Sequence, residues 1–355
     1  MICFAWGGFP QYAARLVGAF AQSTPERVVV AGKRPAVPVE GMEKYTKCEL
    51  KWVSPDERLD LKDLFGEYPR ALIVTGWRYR AFNCFRDQVR RAGGKVYAMV
   101  DNNFQPSFLE LVKRFRFRLL LRGKYDGFLV PGKSGRQLLR YYGVQDDRIA
   151  EGLYAADSSL FTAGVPAGQR PKKLLYVGQF VERKNVLNLC TAFAQAVFED
   201  VRCRGWVLDL YGSGPLKSKL EMIAKSVQSS LTDREARINV NSFVQPEQLA
   251  GLYQQARLFC LPSFSEHWGL VVHEAALSGC QLLLSKTIGA ADDLLSIGGN
   301  GFSFDPKSID SMKMALVQAM SQSDVQMEAG SVLSLKMSSN ASFKKFVQGV
   351  NALVG

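Results

Sequence analysis

The sequence is poor in histidine and lacks the paired-cysteine motifs that bind zinc or support redox chemistry. Its two histidines are His267 and His273, and its seven cysteines are scattered with no C-x-x-C spacing. Such cysteines indicate reduced, mostly buried thiols, as in a cytoplasmic protein. The residues after His273 do not form the H-E-x-x-H motif of zinc enzymes, so we expect no metal site.

Long apolar runs are absent as well. The chain contains no stretch of about 18–20 apolar residues, so we expect no membrane-spanning helix. The first residues, MICFAWGGFPQY, lack the basic start and long apolar region of a signal peptide. These absences favour a cytoplasmic protein, which could still associate with the inner face of a membrane.

Composition and length indicate a globular protein of two domains. The 355 residues are more than one hydrophobic core usually holds, and 47% hydrophobic with 22% charged residues is ordinary for folded proteins. The net charge of +12 is uneven, because residues 1–165 contain 26 Lys and Arg against 17 Asp and Glu, and the remainder contains 19 against 16. A positive first half favours an anionic partner. No nucleic-acid-binding module or aromatic stacking pattern accompanies the charge, so we expect no nucleic-acid partner.

Short apolar runs alternate with amphipathic runs along the whole chain, which predicts α/β domains with parallel sheets covered by helices. A stretch rich in Gly, Pro and Ala at residues 162–172 interrupts the alternation and has the composition of a linker. We therefore predict a first doubly wound domain over residues 1–165, a second over residues 166–340, and a C-terminal helix over residues 341–355. Ligands bind beyond the carboxyl ends of the strands in such sheets, so a site between the two domains is expected. The predicted strands are Ile2–Trp6, Arg27–Ala31, Ala71–Thr75, Lys95–Val100, Gly127–Val130, Leu174–Val177, Trp206–Tyr211, Ile238–Val240, Leu258–Leu261 and Gln281–Ser285.

Glycine-containing turns follow three of these strands. Gly7 and Gly8 follow the first strand, Gly178 ends the strand before Arg183 and Lys184, and Gly212 opens the turn YGSGPL. Glycine lets backbone N–H groups approach a phosphate, and basic side chains at a helix start become favourable when an anion lies there. Tight turns and a solvated basic loop are the alternative explanation for each stretch taken alone.

The stretch SEHWGLVVHEAALSGC at residues 265–280 carries two glutamates, Glu266 and Glu274, in a mostly apolar context. With a predicted helix over Leu270–Leu277, Glu266 lies in the preceding loop and Glu274 in the first two turns. A carboxylate accepts two hydrogen bonds at once, as recognition of paired sugar hydroxyls requires. Simple solvent exposure is the alternative.

Together these stretches resemble the retaining glycosyltransferases of family 4 (glycosyl transferases group 1), which have the GT-B fold of two Rossmann-like domains facing a central cleft. The family signature places two glutamates with seven residues between them within P-S-x-x-E-x-x-G-L-x-x-x-E-A, and this chain reads PSFSEHWGLVVHEA from Pro262 to Ala275. The resemblance continues through Gly289 and Asn300-Gly301-Phe302 and covers nearly all of residues 172–306.

The resemblance implies a role for each matching residue. Lys184, with Arg183 beside it, would contact the diphosphate of a nucleotide-sugar donor linked to UDP or GDP. Glu266 would lie near the donor sugar, and Glu274 would bind the ribose hydroxyls. The remaining donor contacts would come from the glycine turns and from the start of the helix, at Gly7, Gly8, Gly178, Gly212, Gly269 and Leu270. Such enzymes use no metal and no cofactor.

Two positions depart from the family pattern. Gln179 follows Gly178 where the family often has arginine, and Arg183 could supply that charge. The stretch Tyr97–Phe104 contains no histidine where many members have one near the reacting carbon. Asp101 or Asn102 could occupy this place, and Asp101 is the candidate catalytic residue of the first domain beside Lys184 and Glu266 of the second.

The function implied is transfer of a sugar from a nucleotide sugar to an acceptor with retention at the anomeric carbon, as in the synthesis of cell-envelope glycolipids or polysaccharides. In this family the departing phosphate takes the acceptor proton. The alternatives are a non-catalytic GT-B subunit that binds a partner, or a GT-B epimerase or phosphorylase.

A basic and apolar segment, KRFRFRLLLRGK at Lys113–Lys124, contains six basic residues and no acidic one. It is either an ordinary core helix with a solvated basic face or a surface that rests on anionic lipid with its apolar side chains partly inserted. The second interpretation predicts a lipid-linked glycan acceptor reached from the cytoplasmic side.

Overall fold

The computed structural model describes residues 1–35, 42–54, 56–105, 108–231 and 236–355. They form two units. The first contains Met1–Ala155 together with Ala341–Gly355, and the second contains Ala156–Asn340. The C-terminal segment therefore returns to the first unit.

A seven-stranded parallel sheet forms the centre of the first unit, in the order β3-β2-β1-β4-β5-β6-β7. The side chains of its inner strands are almost completely buried, as expected for a sheet with helices on both faces. The strands are β1 (Ile2–Trp6), β2 (Val28–Gly32), β3 (Glu49–Trp52), β4 (Ala71–Thr75), β5 (Lys95–Met99), β6 (Gly127–Val130) and β7 (Ile149–Glu151).

Two hydrophobic cores lie against this sheet, because alternate residues of each strand point to opposite faces. Cys3 and Ala5 belong to one core, whereas Ile2 and Phe4 belong to the other. The helices are α1 (Gln11–Ser23), α2 (Met42–Thr46), α3 (Leu61–Phe65), α4 (Arg80–Arg91), α5 (Phe108–Leu120), α6 (Lys133–Tyr141) and the C-terminal α14 (Phe343–Val354). The amphipathic pattern of the sequence predicts a helix over Ser107–Phe115, and the first residue of that prediction lies outside the described residues.

The C-terminal helix α14 completes the second of these cores. Phe346 is fully buried and stacks on Phe4 with ring centroids 6.2 Å apart. Lys345 Nζ lies 3.4 Å from a carboxylate oxygen of Glu151, and Arg70 donates to the carbonyl of Val354 at 2.8 Å. The last residues of the chain are thus part of the first unit.

Replacing Phe346 with alanine is expected to destabilise the first unit by about 3–5 kcal/mol, because the substitution removes a buried ring and leaves a cavity. Urea unfolding followed by tryptophan fluorescence measures the effect. Lys344→Ala, at an exposed position on the same helix, is the control. Equal midpoints for the two variants would contradict the packing of α14.

A six-stranded parallel sheet forms the second unit, in the order β10-β9-β8-β11-β12-β13. The strands are β8 (Lys173–Val177), β9 (Val207–Tyr211), β10 (Arg237–Asn241), β11 (Leu258–Leu261), β12 (Gln281–Ser285) and β13 (Gly301–Phe304). The helices are α7 (Val186–Glu199), α8 (Lys217–Leu231), α9 (Pro246–Gln255), α10 (Leu270–Leu277), α11 (Ala291–Leu294), α12 (Ile309–Met320) and α13 (Asp324–Ser338).

The segment 162–172, predicted as a linker, packs within the second unit. Arg170 is 2% exposed and donates to the carbonyls of Val165 at 2.8 Å and Ala256 at 2.9 Å. Arg257 in turn donates to the Arg170 carbonyl at 2.6 Å. These bonds satisfy a buried guanidinium with backbone oxygens.

Each sheet has one point at which the strand order reverses. In the first sheet this point lies between β1 and β4, and in the second between β8 and β11. Loops that leave the carboxyl ends of these strands diverge to opposite faces, so a crevice for ligands forms there. The turn at Gly7-Gly8 and the loop with Arg183 and Lys184 follow β1 and β8, at the two switch points.

The cysteines are all free thiols, and five of them are buried. Burial raises the pKa of Cys3 and of Cys280 to about 12, so both thiols stay protonated and unreactive near neutral pH. In the described part of the chain, no helix is both long enough and apolar enough to span a membrane.

Candidate functional site

Three charged side chains meet at the switch point of the second sheet. The Lys184 ammonium contacts the carboxylate of Glu266, and Arg183 Nη1 lies 3.3 Å from the same oxygen. Arg183 also donates to the carbonyl of Ser265 at 2.6 Å. The side chains of Lys184 and Glu266 are 11% and 16% exposed, whereas that of Arg183 is 49% exposed. The loop after β8 therefore presents two cations held by one carboxylate.

Backbone contacts hold the loops after β8, β11 and β12 together. The Phe264 N–H donates to the Arg183 carbonyl at 2.9 Å, and Glu266 pairs with Ile288 in an isolated parallel bridge. The Thr287 hydroxyl donates to the Ser263 carbonyl at 2.8 Å. Glu266 is thus placed by three loops rather than by its own alone.

Asn185 is a positioning residue that the sequence interpretation missed. Its backbone is left-handed with φ 58°, a conformation that Asn adopts more readily than most residues. Its buried amide donates to the carbonyls of Pro262 at 3.1 Å and Pro306 at 2.8 Å. The sequence feature that could have identified Asn185 is its position directly after two basic residues and directly before a helix. The side chain fastens the Lys184 turn to the loops after β11 and β13.

Asn185→Gly is expected to destabilise the second unit by about 1–3 kcal/mol, because it keeps the left-handed backbone and removes both buried hydrogen bonds. Asn185→Ala should cost about 1 kcal/mol more, because alanine is strained at positive φ. Chemical unfolding of both variants measures the order. Equal stability of wild type and Asn185→Gly would show that the two hydrogen bonds do not stabilise the turn.

The glycines after β8 and β9 allow two loops to touch. A side chain at Gly212 would place its Cβ 1.9 Å from the Gly178 carbonyl oxygen, and one at Gly214 would lie 2.5 Å from the Phe180 carbonyl oxygen. The Gly178 N–H donates to the Tyr211 carbonyl at 3.0 Å. Gly178 and Gly212 therefore have a packing role, and their N–H groups are used within the protein, since Gly212 donates to Asn241 at 3.3 Å.

Glu274 has a different set of contacts from the cluster of Lys184, Arg183 and Glu266. It is half-buried on α10 and accepts a hydrogen bond from the Tyr253 hydroxyl at 3.0 Å. Burial raises the pKa of Glu274 to about 7, although the Tyr253 bond opposes the shift. The helix starts at Leu270 directly after Gly269, whose φ of 94° turns the chain out of the Glu266 loop. The carboxyl group is therefore poised to change charge near neutral pH.

The two histidines have different environments. His273 is buried, its Nδ1 accepts from the Ala156 N–H at 2.9 Å, and its Nε2 lies 3.0 Å from the Ser338 carbonyl. Burial lowers its pKa to about 4, so the ring is neutral and donates from Nε2. His267 is exposed. Within the described ranges, no three His, Cys, Asp or Glu side chains come together as a metal site would require.

The glycine turn of the first unit packs against the loop after β4. The Gly7 N–H donates to the Thr75 hydroxyl at 2.7 Å, and a Cβ at Gly7 would lie 2.2 Å from the ring of Tyr79. Gly8 has a left-handed φ of 65°, and a Cβ there would meet no described atom within 4 Å. Gly7 is therefore required by packing, whereas the space beside Gly8 is open.

Asp101 follows β5 and is held by a tyrosine. The Tyr154 hydroxyl donates to its carboxylate at 3.1 Å, and the Tyr154 ring makes an edge contact with Tyr12 at 5.5 Å. Burial raises the pKa of both tyrosines, so their hydroxyls stay protonated as donors. No side-chain hydrogen bond places Asn102 in the same way among the contacts described.

Comparison with known proteins agrees with the sequence pattern of the second unit. Residues 162–331 match the family model "Glycosyl transferases group 1". The chain is 28% identical over 196 residues to O-antigen chain mannosyltransferase B of Escherichia coli, and 29% identical over 181 residues to D-inositol 3-phosphate glycosyltransferase of Nocardia farcinica (strain IFM 10152). These matches cover 53% and 48% of this chain, and 49% and 39% of the relatives. The chain thus matches about half or less of the length of these relatives.

Solved structures match the whole chain. The match to Anabaena HepE, solved in complex with UDP, has a TM-score of 0.76 at 14% sequence identity. It covers 99% of this chain and 98% of the HepE chain. The match to the lipopolysaccharide outer core galactosyltransferase WaaB has a TM-score of 0.71 at 14% sequence identity. It covers 100% of this chain and 99% of the WaaB chain. The fold is therefore GT-B, with two Rossmann-like parallel-sheet domains, which confirms the predicted fold class. The segment that carries Lys184, Glu266 and Glu274 is similar in sequence to glycosyltransferases of group 1.

Proposed function

We propose that this protein transfers a sugar from a nucleoside diphosphate sugar, linked to UDP or GDP, to an acceptor with retention at the anomeric carbon. The observation that carries the proposal is the cluster of Lys184, Arg183 and Glu266 at the switch point of the second sheet. Two cations ahead of the start of α7 suit a diphosphate, because the helix N-terminus adds positive potential. The group 1 match over the same residues supports it.

Lys184 and Arg183 are proposed to stabilise the departing diphosphate. Charge develops on the leaving oxygen during transfer, and fixed cations next to it lower the barrier. The oxygens of a diphosphate compete with Glu266 for both cations. The Glu266 carboxylate then becomes available to accept hydrogen bonds from the donor sugar. This exchange requires neither metal nor cofactor.

Glu274 is proposed to bind the ribose hydroxyls of the donor nucleotide. An ionised carboxylate accepts from both hydroxyls, whereas a protonated one loses an acceptor. Gly269 and Leu270 form the start of its helix, and Tyr253 fixes the carboxylate.

The affinity for the nucleoside diphosphate is expected to rise about tenfold between pH 6 and pH 8, because Glu274 must lose its proton to bind and its pKa lies at about 7. Tyr253→Phe removes the bond that opposes the shift, so the midpoint should move to higher pH. Isothermal titration across this pH range measures both effects. A pH profile that Glu274→Gln leaves unchanged would show that Glu274 does not contact the ribose.

Residues of the first unit have proposed roles that follow from the family resemblance. Gly8 would face the diphosphate with its backbone, and Gly7 would shape the turn, since its own N–H donates to Thr75. Asp101, oriented by Tyr154, takes the place of the family histidine near the reacting carbon. The acceptor proton goes to the departing phosphate, so no dedicated base is needed.

The acceptor is proposed to be a lipid-linked glycan of the cell envelope. Relatives named for O-antigen and for lipopolysaccharide outer core synthesis support this class. The helix α5 supports it independently. Phe108, Phe115 and Leu119 on this helix are 81%, 66% and 67% exposed. Its buried side chains are Glu110 and Phe117 alone among those described.

Basic residues accompany these exposed apolar side chains on α5. Arg114 stacks over Tyr141 at 4.8 Å, and Lys113 pairs with Glu110 at 3.0 Å. Arg114, Arg116 and Arg118 also line an open apolar cavity with Phe115. An amphipathic helix with this charge rests on anionic lipid, so we place the protein on the cytoplasmic face of a membrane.

Incubation with UDP- and GDP-sugars and a panel of glycan acceptors, followed by NMR of the product, tests the proposal. Release of nucleotide together with a glycosylated acceptor whose new linkage keeps the anomeric configuration of the donor supports it. Interconversion of the donor sugar indicates an epimerase, and a free sugar phosphate indicates a phosphorylase. Binding without turnover over a panel of acceptors indicates a non-catalytic subunit.

A further inference from the structure

A second cluster of cations lies at the carboxyl edge of the first sheet. Lys33 and Arg34 follow β2, and Trp52, Val53 and Ser54 end β3 or follow it. These five residues line an open cavity of about 350 Å³. None of them is acidic. The cavity lies where parallel sheets bind ligands, beyond the ends of two neighbouring strands.

The two cations are held by aromatic rings. The Lys33 ammonium lies 5.0 Å from the centre of the Tyr79 ring, and the Arg34 guanidinium lies 4.9 Å from that of Trp52. Such contacts hold a cation without neutralising its charge. By contrast, Arg27 pairs with Glu49 at 2.8 Å and Arg70 with Glu26 at 2.5 Å in the same unit.

The cavity is joined to the glycine turn of the first unit. The Lys33 N–H donates to the Trp6 carbonyl at 2.9 Å, and the Phe9 N–H donates to the Lys33 carbonyl at 2.9 Å. The Tyr79 ring under Lys33 packs against Gly7. The Gly7-Gly8 turn and the two cations therefore lie together at one edge of the first sheet.

We propose that this cavity binds an anionic group, a phosphate or a carboxylate, on the acceptor glycan. The Arg34 guanidinium stacked on Trp52 offers a planar pair of donors to such an oxyanion, and Lys33 adds a second charge. The inference rests on the proposed function, because it assigns the first unit to the acceptor. It restricts the acceptor to sugars that carry a negative charge.

Titration of the protein with three probes tests the proposal, and the probes are glucose 6-phosphate, glucuronic acid and glucose. Binding of each probe is measured by saturation-transfer NMR in the presence of excess UDP or GDP. We expect the wild type to bind at least one anionic probe at about 10 mM or below, and to bind glucose more weakly. The double variant K33Q/R34Q should bind that probe at least about tenfold more weakly, since charged hydrogen bonds are lost. The control K44Q/R91Q removes the same charge from exposed positions of the same unit.

Phosphate and carboxylate are distinguished by which of the two anionic probes binds. The proposal is overturned if neither anionic probe binds, if glucose binds equally well, or if K33Q/R34Q binds like the control. Nucleotide binding measured in the same samples reports separately on the proposed function.

Discussion

Lys184→Ala is expected to lower catalytic efficiency with the nucleotide sugar by roughly 10- to 150-fold, because a hydrogen bond to a charged group is worth about 1.5–3 kcal/mol. The loss should appear in kcat as well as KM, since the leaving diphosphate gains charge in the transition state. The Lys184 side chain is only 11% exposed, and among the described residues its carboxylate partner is Glu266. Steady-state kinetics with the active donor measures the change.

Lys219→Ala is the matched control, because it removes an exposed lysine from α8 in the same unit. Lys184→Ala leaves Glu266 paired with Arg183 at 3.3 Å, so the loop should keep its fold. An unfolding midpoint close to that of wild type checks this. Kinetics equal to those of Lys219→Ala would remove Lys184 from the donor site.

Charge reversal on α5 is expected to abolish membrane binding. Each basic residue near an anionic surface contributes about 1 kcal/mol, so replacing Arg114, Arg116 and Arg118 with Glu should lower vesicle partitioning at least about 100-fold. Sedimentation with vesicles of anionic and of zwitterionic lipid, at low and high salt, measures it. Binding of the wild type should weaken with salt.

The control R58E/R91E/K95E makes the same change in charge at exposed positions of the first unit outside α5. A further variant, Phe115→Ser with Leu119→Ser, tests whether apolar insertion contributes. If the wild type does not sediment with anionic vesicles at low salt, the membrane role is wrong and a soluble glycan is the expected acceptor. Equal loss in both charge variants would attribute binding to net charge rather than to α5.

The buried strands of the fold were predictable from sequence, whereas three of the four edge strands of the described sheets were not. The predicted strands Ile2–Trp6, Ala71–Thr75 and Gln281–Ser285 agree with the structure, because inner parallel strands are continuous apolar runs. The strands β3, β7 and β13 were missed. All three are edge strands, and β3 alternates exposed and half-buried residues along the sequence ELKW. An edge strand needs little apolar sequence, since it has one neighbour.

The site was predictable where a motif specifies it. The helix Leu270–Leu277 and the loop with Glu266 lie as the spacing indicated, and Lys184 and Arg183 meet Glu266 there. Asn185 and Tyr253 were missed, because their partners are more than about 20 positions away in sequence. Tyr253 has the pattern of an ordinary core residue. Contacts of this kind follow from strand order, which local patterns do not determine.

Isothermal titration of the wild type with UDP and GDP tests most directly whether the second unit binds a nucleoside diphosphate. One of the two nucleotides should bind with 1:1 stoichiometry, and ligand at about 100 times its Kd should stabilise the fold by about 2.7 kcal/mol. Lys184→Ala and Glu274→Gln should each weaken binding, whereas Glu266→Gln should affect sugar transfer more than nucleotide binding. The proposed donor site would be contradicted if neither nucleotide binds, or if all three variants bind the nucleotide with the affinity of the wild type.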